Sequence, residues 1–152
     1  MSLNSDTAKA IVESAHAAWN AGSVEGVLDK YVDDLIYASN IEGANGEPLT
    51  IYGKEAFRAQ FMPVMAAVES KTSIDGFHFQ GGIARVRLSA FVRHRTTGHL
   101  LTGSFRQIMH FRGFQICKLE DFHDAAKVNA FWRLVWMDAA RSFPARLPPK
   151  ES

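Results

Sequence analysis

Four runs of alternating apolar and polar residues, joined by very short connections, constrain the fold of this chain most. The runs are SIDGFHF, IARVRLSAFVRHR, LLTGSFRQIMHF and FQICKLEDFH, and the connections contain QGG, TTG and RG. Alternation with a period of two predicts β-strands, and tight turns of this kind join antiparallel neighbours. The second half of the chain is therefore predicted to form an antiparallel meander that ends near His123.

Helical spacing of apolar residues precedes and follows the meander. It predicts a helix from Asp6 to about Ala21, a shorter helix capped by Ser23, and a third helix over KEAFRAQFMPVMAAVE. Between the last two, LIYASN predicts a short strand and IEGANGEPLTIYG a polar loop. DAAKVNAFWRLVWMDAARSF predicts a C-terminal helix. Helices first and a sheet afterwards indicate an α+β class.

The length of 152 residues suits one domain with one core. We place that domain at residues 6–141 and a Pro-rich tail at residues 142–152. No apolar run approaches the roughly 20 residues that span a bilayer. The N-terminus lacks a secretory pattern, so we expect a cytoplasmic protein that does not bind membranes.

Charge and cysteine content exclude several kinds of site. The formal net charge is +1, so no global field favours nucleic acid or an anionic membrane. Cys117 is the one cysteine, which excludes intrachain disulfides and cysteine zinc clusters. The six histidines have no metal-ligand spacing, and no nucleotide-binding or hydrolase motif is present. We therefore predict no metal and no cofactor, and a function that depends on a pocket.

The alternation assigns the residues of the last hairpin to two faces. One predicted face is apolar and carries Phe105, Met109, Phe111, Ile116 and Phe122. The other carries Ser104, Arg106, Ile108, His110, Cys117, Leu119, Asp121 and His123. Asp121 and His123 are thus predicted to share a face, with Arg106 as a cross-strand neighbour of Asp121.

Two aspartates flank His123, and they are expected to differ in role. Asp124 has the opposite parity and stands at the first position of the C-terminal helix, so we predict that it is the N-cap. For Asp121 two interpretations stay open. It either forms an ion pair with Arg106 at the surface, or it is a pocket acid whose ionisation depends on burial and on Arg106.

Four arginines of the second predicted meander strand lie on one face: Arg85, Arg87, Arg93 and Arg95. A nucleic-acid surface is one interpretation of such a stripe. Acidic residues elsewhere nearly cancel the charge, and Phe91 alone supplies an aromatic neighbour. We therefore favour a solvated or dimer-facing edge, and no nucleic-acid partner.

The order AAWNAGSVEGVLDKYVDDLIYAS, IYGKEAFRAQF and a four-strand meander ending KLEDFHDAAKVNAFWRLV resembles the nuclear transport factor 2-like superfamily. Within it, the chain is most similar to the SnoaL-like branch, which is related to polyketide cyclases and ketosteroid isomerases. The resemblance covers about residues 6–137. It implies a cone-shaped, curved antiparallel sheet (a cystatin-like α+β roll) closed by N-terminal helices around an apolar pocket. It also implies a homodimer.

The resemblance carries over to particular residues with mixed results. Ser39 stands near the position of the ketosteroid isomerase base, with Tyr37 two residues earlier, and a serine cannot act as a carboxylate base. The catalytic carboxylate of limonene epoxide hydrolases corresponds to Asp121, but the acid that accompanies it on another strand is not matched. The SnoaL-like cyclases have an acid near this junction, which corresponds to Asp121 or Asp124.

Three functional hypotheses follow. The favoured one is a small enzyme that cyclises, isomerises or dehydrates a hydrophobic, carbonyl-containing ligand, with Asp121 or His123 moving the proton and Tyr37 or Arg106 stabilising oxyanion charge. Trp19, Ser39, Phe57, Phe61 and Arg106 would contact the ligand. The alternatives are a non-catalytic binding module for a hydrophobic metabolite and a dimeric interaction domain. The apolar face of the last hairpin favours a homodimer.

Overall fold

One six-stranded curved sheet, packed against four helices, organises the chain. The computed structural model describes residues 2–43 and 45–142. The elements follow one another as α1 (Ser5–Asn20), α2 (Val24–Leu28), β1 (Tyr31–Glu42), β2 (Pro48–Tyr52), α3 (Lys54–Ala67), β3 (Val68–Gln80), β4 (Ile83–His94), β5 (Leu100–Arg112), β6 (Gln115–Phe122) and α4 (Ala125–Ser142). The predicted α+β class is confirmed. The predicted Pro-rich tail lies outside the described residues except for Ser142, where α4 ends.

The strand order in the sheet is β2-β1-β6-β5-β4-β3. The pairs β3–β4, β4–β5 and β5–β6 are antiparallel, which confirms the predicted meander. The sheet as a whole is mixed, because β1 runs parallel to β6. Parallel neighbours need a long connection, and β2, α3 and the strands β3–β5 supply it between β1 and β6.

The segment before α3 contains more strand than the sequence indicates. β1 runs from Tyr31 to Glu42, so it begins four residues before the predicted strand LIYASN and includes Asp33 and Asp34. β2 lies inside the segment predicted to be a polar loop, and it pairs with β1 through contacts such as Tyr37 with Ile51. β2 is only five residues long and lies at the sheet edge, with Ile51 as its one buried residue, so it carries no long alternating pattern that the sequence could reveal.

Side-chain caps fix the starts of three helices. Asn4 accepts the Thr7 N–H at 2.8 Å and Ser23 accepts the Gly26 N–H at 3.0 Å. Asp124 accepts the Lys127 N–H at 3.3 Å, so both predicted caps, Ser23 and Asp124, are confirmed. In the part of the chain that the structure describes, no helix has the length and apolar content needed to cross a membrane.

The two faces of the sheet have different surroundings. The inner face packs on α1, α2 and α3, and its core includes Leu35, Val86, Leu88, Met109 and Ile116, each no more than 1% exposed. The outer face carries the exposed side chains of Arg85, Arg87 and Arg93. This exposure agrees with the predicted solvated or dimer-facing edge.

Candidate active site

A cavity of about 190 Å³ lies between the inner face of the sheet and helices α1, α3 and α4. Most of its lining is apolar, and aromatic residues form much of the wall: Trp19, Tyr31, Tyr37, Phe57, Phe61, Phe105 and Trp132. Six other polar residues line it as well: His16, Ser70, Thr72, Gln107, Asp121 and His123. Such a mixture of apolar walls and a few polar groups is typical of small-molecule sites.

Two helices supply the aromatic wall. α3 presents Phe57 and Phe61 one turn apart, with their ring centroids 4.6 Å from each other. Phe61 meets Trp19 of α1 edge to face at 5.8 Å and Tyr37 of β1 at 5.2 Å. The predicted ligand contacts Trp19, Phe57 and Phe61 therefore come together on one side of the cavity.

Asp121 is the carboxylate of the cavity, and it is 9% exposed. The Tyr37 hydroxyl donates to its Oδ2 at 2.7 Å, and the Gln107 amide donates from Nε2 to its Oδ1 at 2.9 Å. β6 brings these donors together because it lies between β1 and β5, with Gln107 directly opposite Asp121. Two neutral donors thus satisfy part of the hydrogen-bonding capacity of a buried carboxylate.

His123 directly follows β6 and lines the cavity together with Asp121. Its Nε2 is 3.8 Å from Asp121 Oδ2, which is too long for a hydrogen bond. The imidazole stacks on Phe105 with centroids 4.6 Å apart and planes 13° from parallel. A ligand oxygen or a water between His123 and Asp121 could contact both groups.

His16 extends the hydrogen-bonded chain towards α1. Its Nε2 lies 2.8 Å from Gln107 Oε1, and its Nδ1 lies 2.8 Å from the Thr72 hydroxyl. Burial lowers the pKa of His16, and this exceeds the opposing effects of the Gln107 hydrogen bond and the Asp121 charge. His16 is therefore neutral at pH 7.

Tyr37 is held as a neutral phenol. Burial raises the pKa of its hydroxyl, and the negative charge of Asp121 raises that pKa further. The phenol consequently keeps its proton at physiological pH. It can act as a hydrogen-bond donor in the cavity, and its present acceptor is Asp121.

A β-bulge overturns part of the predicted face assignment. In β5–β6 the register shifts between His110 and Phe111, and Cys117 is the extra residue of β6. Before the bulge Phe111 pairs with Ile116, and beyond it Met109 pairs with Leu119 and Gln107 with Asp121. Asp121 and His123 therefore share the inner face with Phe105, Gln107 and Met109, instead of with Arg106.

The bulge contradicts the predicted position of Arg106. Arg106 pairs with Phe122, and both side chains are exposed on the outer face. The prediction that Arg106 neighbours Asp121 and lines the pocket is wrong, because one extra residue reverses the alternation. Phe122, which we assigned to an apolar face with Phe105 and Met109, is likewise on the opposite side from them.

Ser39 is buried but does not belong to the cavity lining. It pairs with Asp121 across β1 and β6, and its hydroxyl accepts the Ile41 N–H at 3.1 Å. The sequence did not identify Gln107 or His16 as site residues. The bulge concealed which face Gln107 occupies. His16 lies four residues after the buried Val12, so the helical spacing of α1 is the signal that could have identified it.

Among residues 2–43 and 45–142, no group of three or more His, Cys, Asp or Glu side chains is arranged to hold a metal ion. Hydrogen bonds instead link Tyr37, Asp121, Gln107, His16 and Thr72 to one another. No buried side-chain nitrogen or oxygen of the described residues lacks a hydrogen-bond partner. The arrangement therefore suits proton transfer by Asp121 and His123 within an apolar chamber.

No protein-family model and no curated protein matches the sequence, whereas many solved structures match the fold. TerC, co-crystallised with polyporic acid, is 19% identical, with a TM-score of 0.70 over 86% of this chain and 98% of that one. An NTF2-like protein of unknown function from Burkholderia pseudomallei is 19% identical, with a TM-score of 0.73 over 82% and 96%. An LEH-like epoxide hydrolase from M. tuberculosis is 15% identical, with a TM-score of 0.68 over 92% and 98%. The chain therefore has the nuclear transport factor 2-like fold that its sequence predicted.

Proposed function

We propose that the protein is an acid–base enzyme acting on a small, hydrophobic, carbonyl-containing molecule. The observation that carries the proposal is the carboxylate of Asp121, buried in an apolar cavity and held by Tyr37 and Gln107. A carboxylate fixed in this way can remove a proton from carbon without first reorganising its surroundings. The SnoaL-like resemblance and the names of the similar structures agree with a small-molecule site.

In the proposed reaction, Asp121 takes a proton from the carbon next to the ligand carbonyl. The electron pair of the broken C–H bond moves into a C=C bond, and the carbonyl oxygen gains negative charge. His123 faces the same part of the cavity and can donate a proton to that oxygen. In a β,γ-unsaturated ketone, return of the Asp121 proton to the γ-carbon completes an isomerisation, while the carbonyl re-forms and the proton on its oxygen goes back to His123. In a β-hydroxy ketone, the β-hydroxyl leaves as water with the Asp121 proton, and the proton on the carbonyl oxygen again goes back to His123, which completes a dehydration.

The proposed roles of the sequence candidates change in two respects. Arg106 is on the outer face and cannot stabilise an oxyanion in the cavity. Tyr37 donates to Asp121, so its main role would be to orient the base. Trp19, Phe57 and Phe61 would bind the apolar part of the ligand.

Cavity volume limits the size of the ligand. The cavity measures about 190 Å³. An apolar cavity of roughly 150 Å³ accommodates benzene, so a ligand of about one ring with short substituents fits here without rearrangement. Larger polycyclic ligands would require displacement of side chains such as Trp132 at the α4 side.

Deuterium incorporation tests the proposal directly. Small cyclic ketones are incubated with the protein in D₂O, and exchange at the carbon next to the carbonyl is followed by NMR. We expect the wild-type protein to accelerate exchange for at least one ketone that also raises the melting temperature. Acceleration that persists unchanged in Asp121→Asn would contradict the assignment of the base.

A non-catalytic binding module is the second candidate function. Ser39 stands where ketosteroid isomerases have their base, and its burial outside the lining favours this alternative. The same experiment separates the two functions. A ketone that raises the melting temperature, yet shows no accelerated exchange after prolonged incubation, would establish binding without catalysis.

We also propose a cytoplasmic homodimer that binds neither nucleic acid nor membranes. The apolar face that indicates a dimer in the sequence does not support one in the structure, because Phe105, Met109 and Ile116 are buried in the core. Support now comes from Phe122, Tyr52 and Leu100, which are exposed. Sedimentation that detects a monomer at every concentration would refute the dimer.

A further inference from the structure

The side-chain amide of Gln107 has one allowed orientation. An ionised carboxylate only accepts hydrogen bonds, so the Gln107 atom 2.9 Å from Asp121 Oδ1 is the donor Nε2. Gln107 Oε1 then faces His16 Nε2 at 2.8 Å and requires a donor there. His16 must therefore carry a proton on Nε2, and this fixes the tautomer of the neutral imidazole.

The other ring nitrogen of His16 is satisfied by Thr72. In the Nε2–H tautomer, Nδ1 is an acceptor, and the Thr72 hydroxyl can donate to it at 2.8 Å. Asn20 secures Thr72 through its backbone, since it accepts the Thr72 N–H at 2.9 Å and donates to the Thr72 carbonyl at 3.0 Å. Two elements, α1 and β3, thus hold His16 and Thr72 in register.

The same atoms can also hold a protonated His16. Asn20 Oδ1 lies 3.1 Å from the Thr72 hydroxyl oxygen. If Nδ1 gains a proton, it can donate to Thr72, and the hydroxyl can rotate to donate to Asn20. Gln107 keeps its orientation in both states, because Nε2 of His16 is a donor in both.

We propose that His16 is a positioning residue for the proposed base: by donating to Gln107 it fixes the amide so that the amide N–H points at Asp121. This inference rests on the proposed function only for its kinetic consequence. The hydrogen-bonded chain is a property of the folded protein that can be measured without any ligand. The charge that acts on His16 is that of Asp121. The two side chains that contact the His16 ring are uncharged: Thr72 on β3 and Gln107 on β5.

Two isosteric substitutions separate positioning from a merely structural role. In His16→Gln, the side-chain NH₂ can take the place of Nε2–H and still donate to Gln107. In His16→Asn, the polar group reaches only as far as Nδ1, so the contact with Thr72 is retained and the donor to Gln107 is lost. A structural role through Thr72 predicts that the Asn variant is the less damaged of the two.

Positioning predicts the reverse order. We expect the deuterium-exchange rate of His16→Gln to stay within about threefold of wild type and that of His16→Asn to fall about tenfold, the equivalent of one lost hydrogen bond. Any acid limb of the pH–rate profile that comes from His16 should vanish in His16→Gln. Equal losses in both variants, or a larger loss in the Gln variant, would overturn the proposal.

Nitrogen-15 NMR of the wild-type protein tests the inference even if the protein has no activity or the variants do not fold. We expect the His16 proton on Nε2 near pH 7, and one Gln107 side-chain amide proton that exchanges slowly with solvent. A neutral ring whose proton is on Nδ1 and not on Nε2 would overturn the proposal. Agreement with the NMR expectation, together with absence of deuterium exchange in every ketone, would refute the proposed function and leave the positioning role intact.

Discussion

The β5–β6 hairpin carries a polar cross-strand contact on each face, and the two contacts are built differently. On the inner face Asp121 accepts from Gln107 and Tyr37 inside the cavity. On the outer face Glu120 Oε1 lies 3.4 Å from His110 Nε2, with side chains 27% and 34% exposed. The two carboxylates are adjacent in the chain, so local sequence does not distinguish them.

The difference between these contacts comes from water. Solvent screens the outer pair and competes for both of its members, so such a pair contributes little to stability. The inner carboxylate is shielded from solvent, so water does not readily replace a hydrogen-bond donor that a substitution removes. The comparison teaches that chemistry in this hairpin depends on which face a carboxylate occupies, and variants of the two faces test that conclusion.

The largest expected effect is on turnover. Asp121→Asn should lower the rate of exchange by about 10²–10⁴-fold, because an amide cannot accept the proton. Stability should change little, since the new amide can accept from Gln107 and donate to the Tyr37 oxygen. Steady-state rates and thermal melts measure both quantities. Glu120→Gln is the matched control, and a comparable loss of rate in that variant would show that the two faces are equivalent.

The next largest effect is on stability, and it concerns Tyr37, which donates a hydrogen bond to Asp121. Tyr37→Phe should lower the free energy of unfolding by about 1.5–3 kcal/mol, because a buried carboxylate loses a hydrogen bond. Chemical denaturation measures this change. Tyr52→Phe, at an exposed outer position, should be almost neutral. Similar values for the two tyrosines would mean that the Tyr37–Asp121 contact contributes nothing.

A smaller effect appears on acidification. Burial lowers the pKa of His16 in the folded state below the unfolded value of about 6.5. The unfolded protein then binds the proton more readily, so this stability is complete above pH 6.5 and is lost as pH falls towards the folded pKa. Denaturation of wild type and His16→Gln between pH 7.5 and 5 isolates the contribution.

His94 makes this subtraction necessary. Burial, together with the nearby His99, lowers the pKa of His94 as well, so the wild-type curve contains a second contribution of the same sign. The difference between wild type and His16→Gln should therefore shrink steadily as pH falls. A difference that is constant over the range would mean that His16 does not titrate with a lowered pKa.

The smallest effect belongs to the outer pair. Glu120→Gln should change the free energy of unfolding by no more than about 1 kcal/mol, since both members are about a third exposed. The change should diminish further in high salt. A decrease of more than about 2 kcal/mol in the free energy of unfolding that persists in high salt would show that the outer pair is not screened by solvent.

The sequence predicted the elements whose patterns are local. The turns QGG, TTG and RG, the caps Ser23 and Asp124, and the helical spacing of α1 and α4 each depend on residues close in the chain. These features were enough for the α+β class and for the superfamily resemblance. They were not enough for β2, a five-residue edge strand with one buried residue, or for the parallel pairing of β1 with β6.

The candidate site was predictable only in part. Asp121, His123, Tyr37 and the aromatic residues are named from the sequence, and the structure gathers them around one cavity. Their catalytic roles remain predictions. Arg106 was misplaced and Gln107 overlooked for the same reason, because a bulge has no signature in an alternating strand. His16 could be found only by knowing which strands α1 covers.

Cys117 gives the hairpin an unusual tolerance of one change in length. If this residue were deleted, Lys118 would follow Ile116 directly, and regular alternation would still place Leu119 and Asp121 on the inner face and Glu120 on the outer one. A deletion between Lys118 and Asp121 would instead turn Asp121 towards solvent, although it removes only one residue as well. In this hairpin, the bulge is a position where the strand can be shortened without moving the candidate base to the other face.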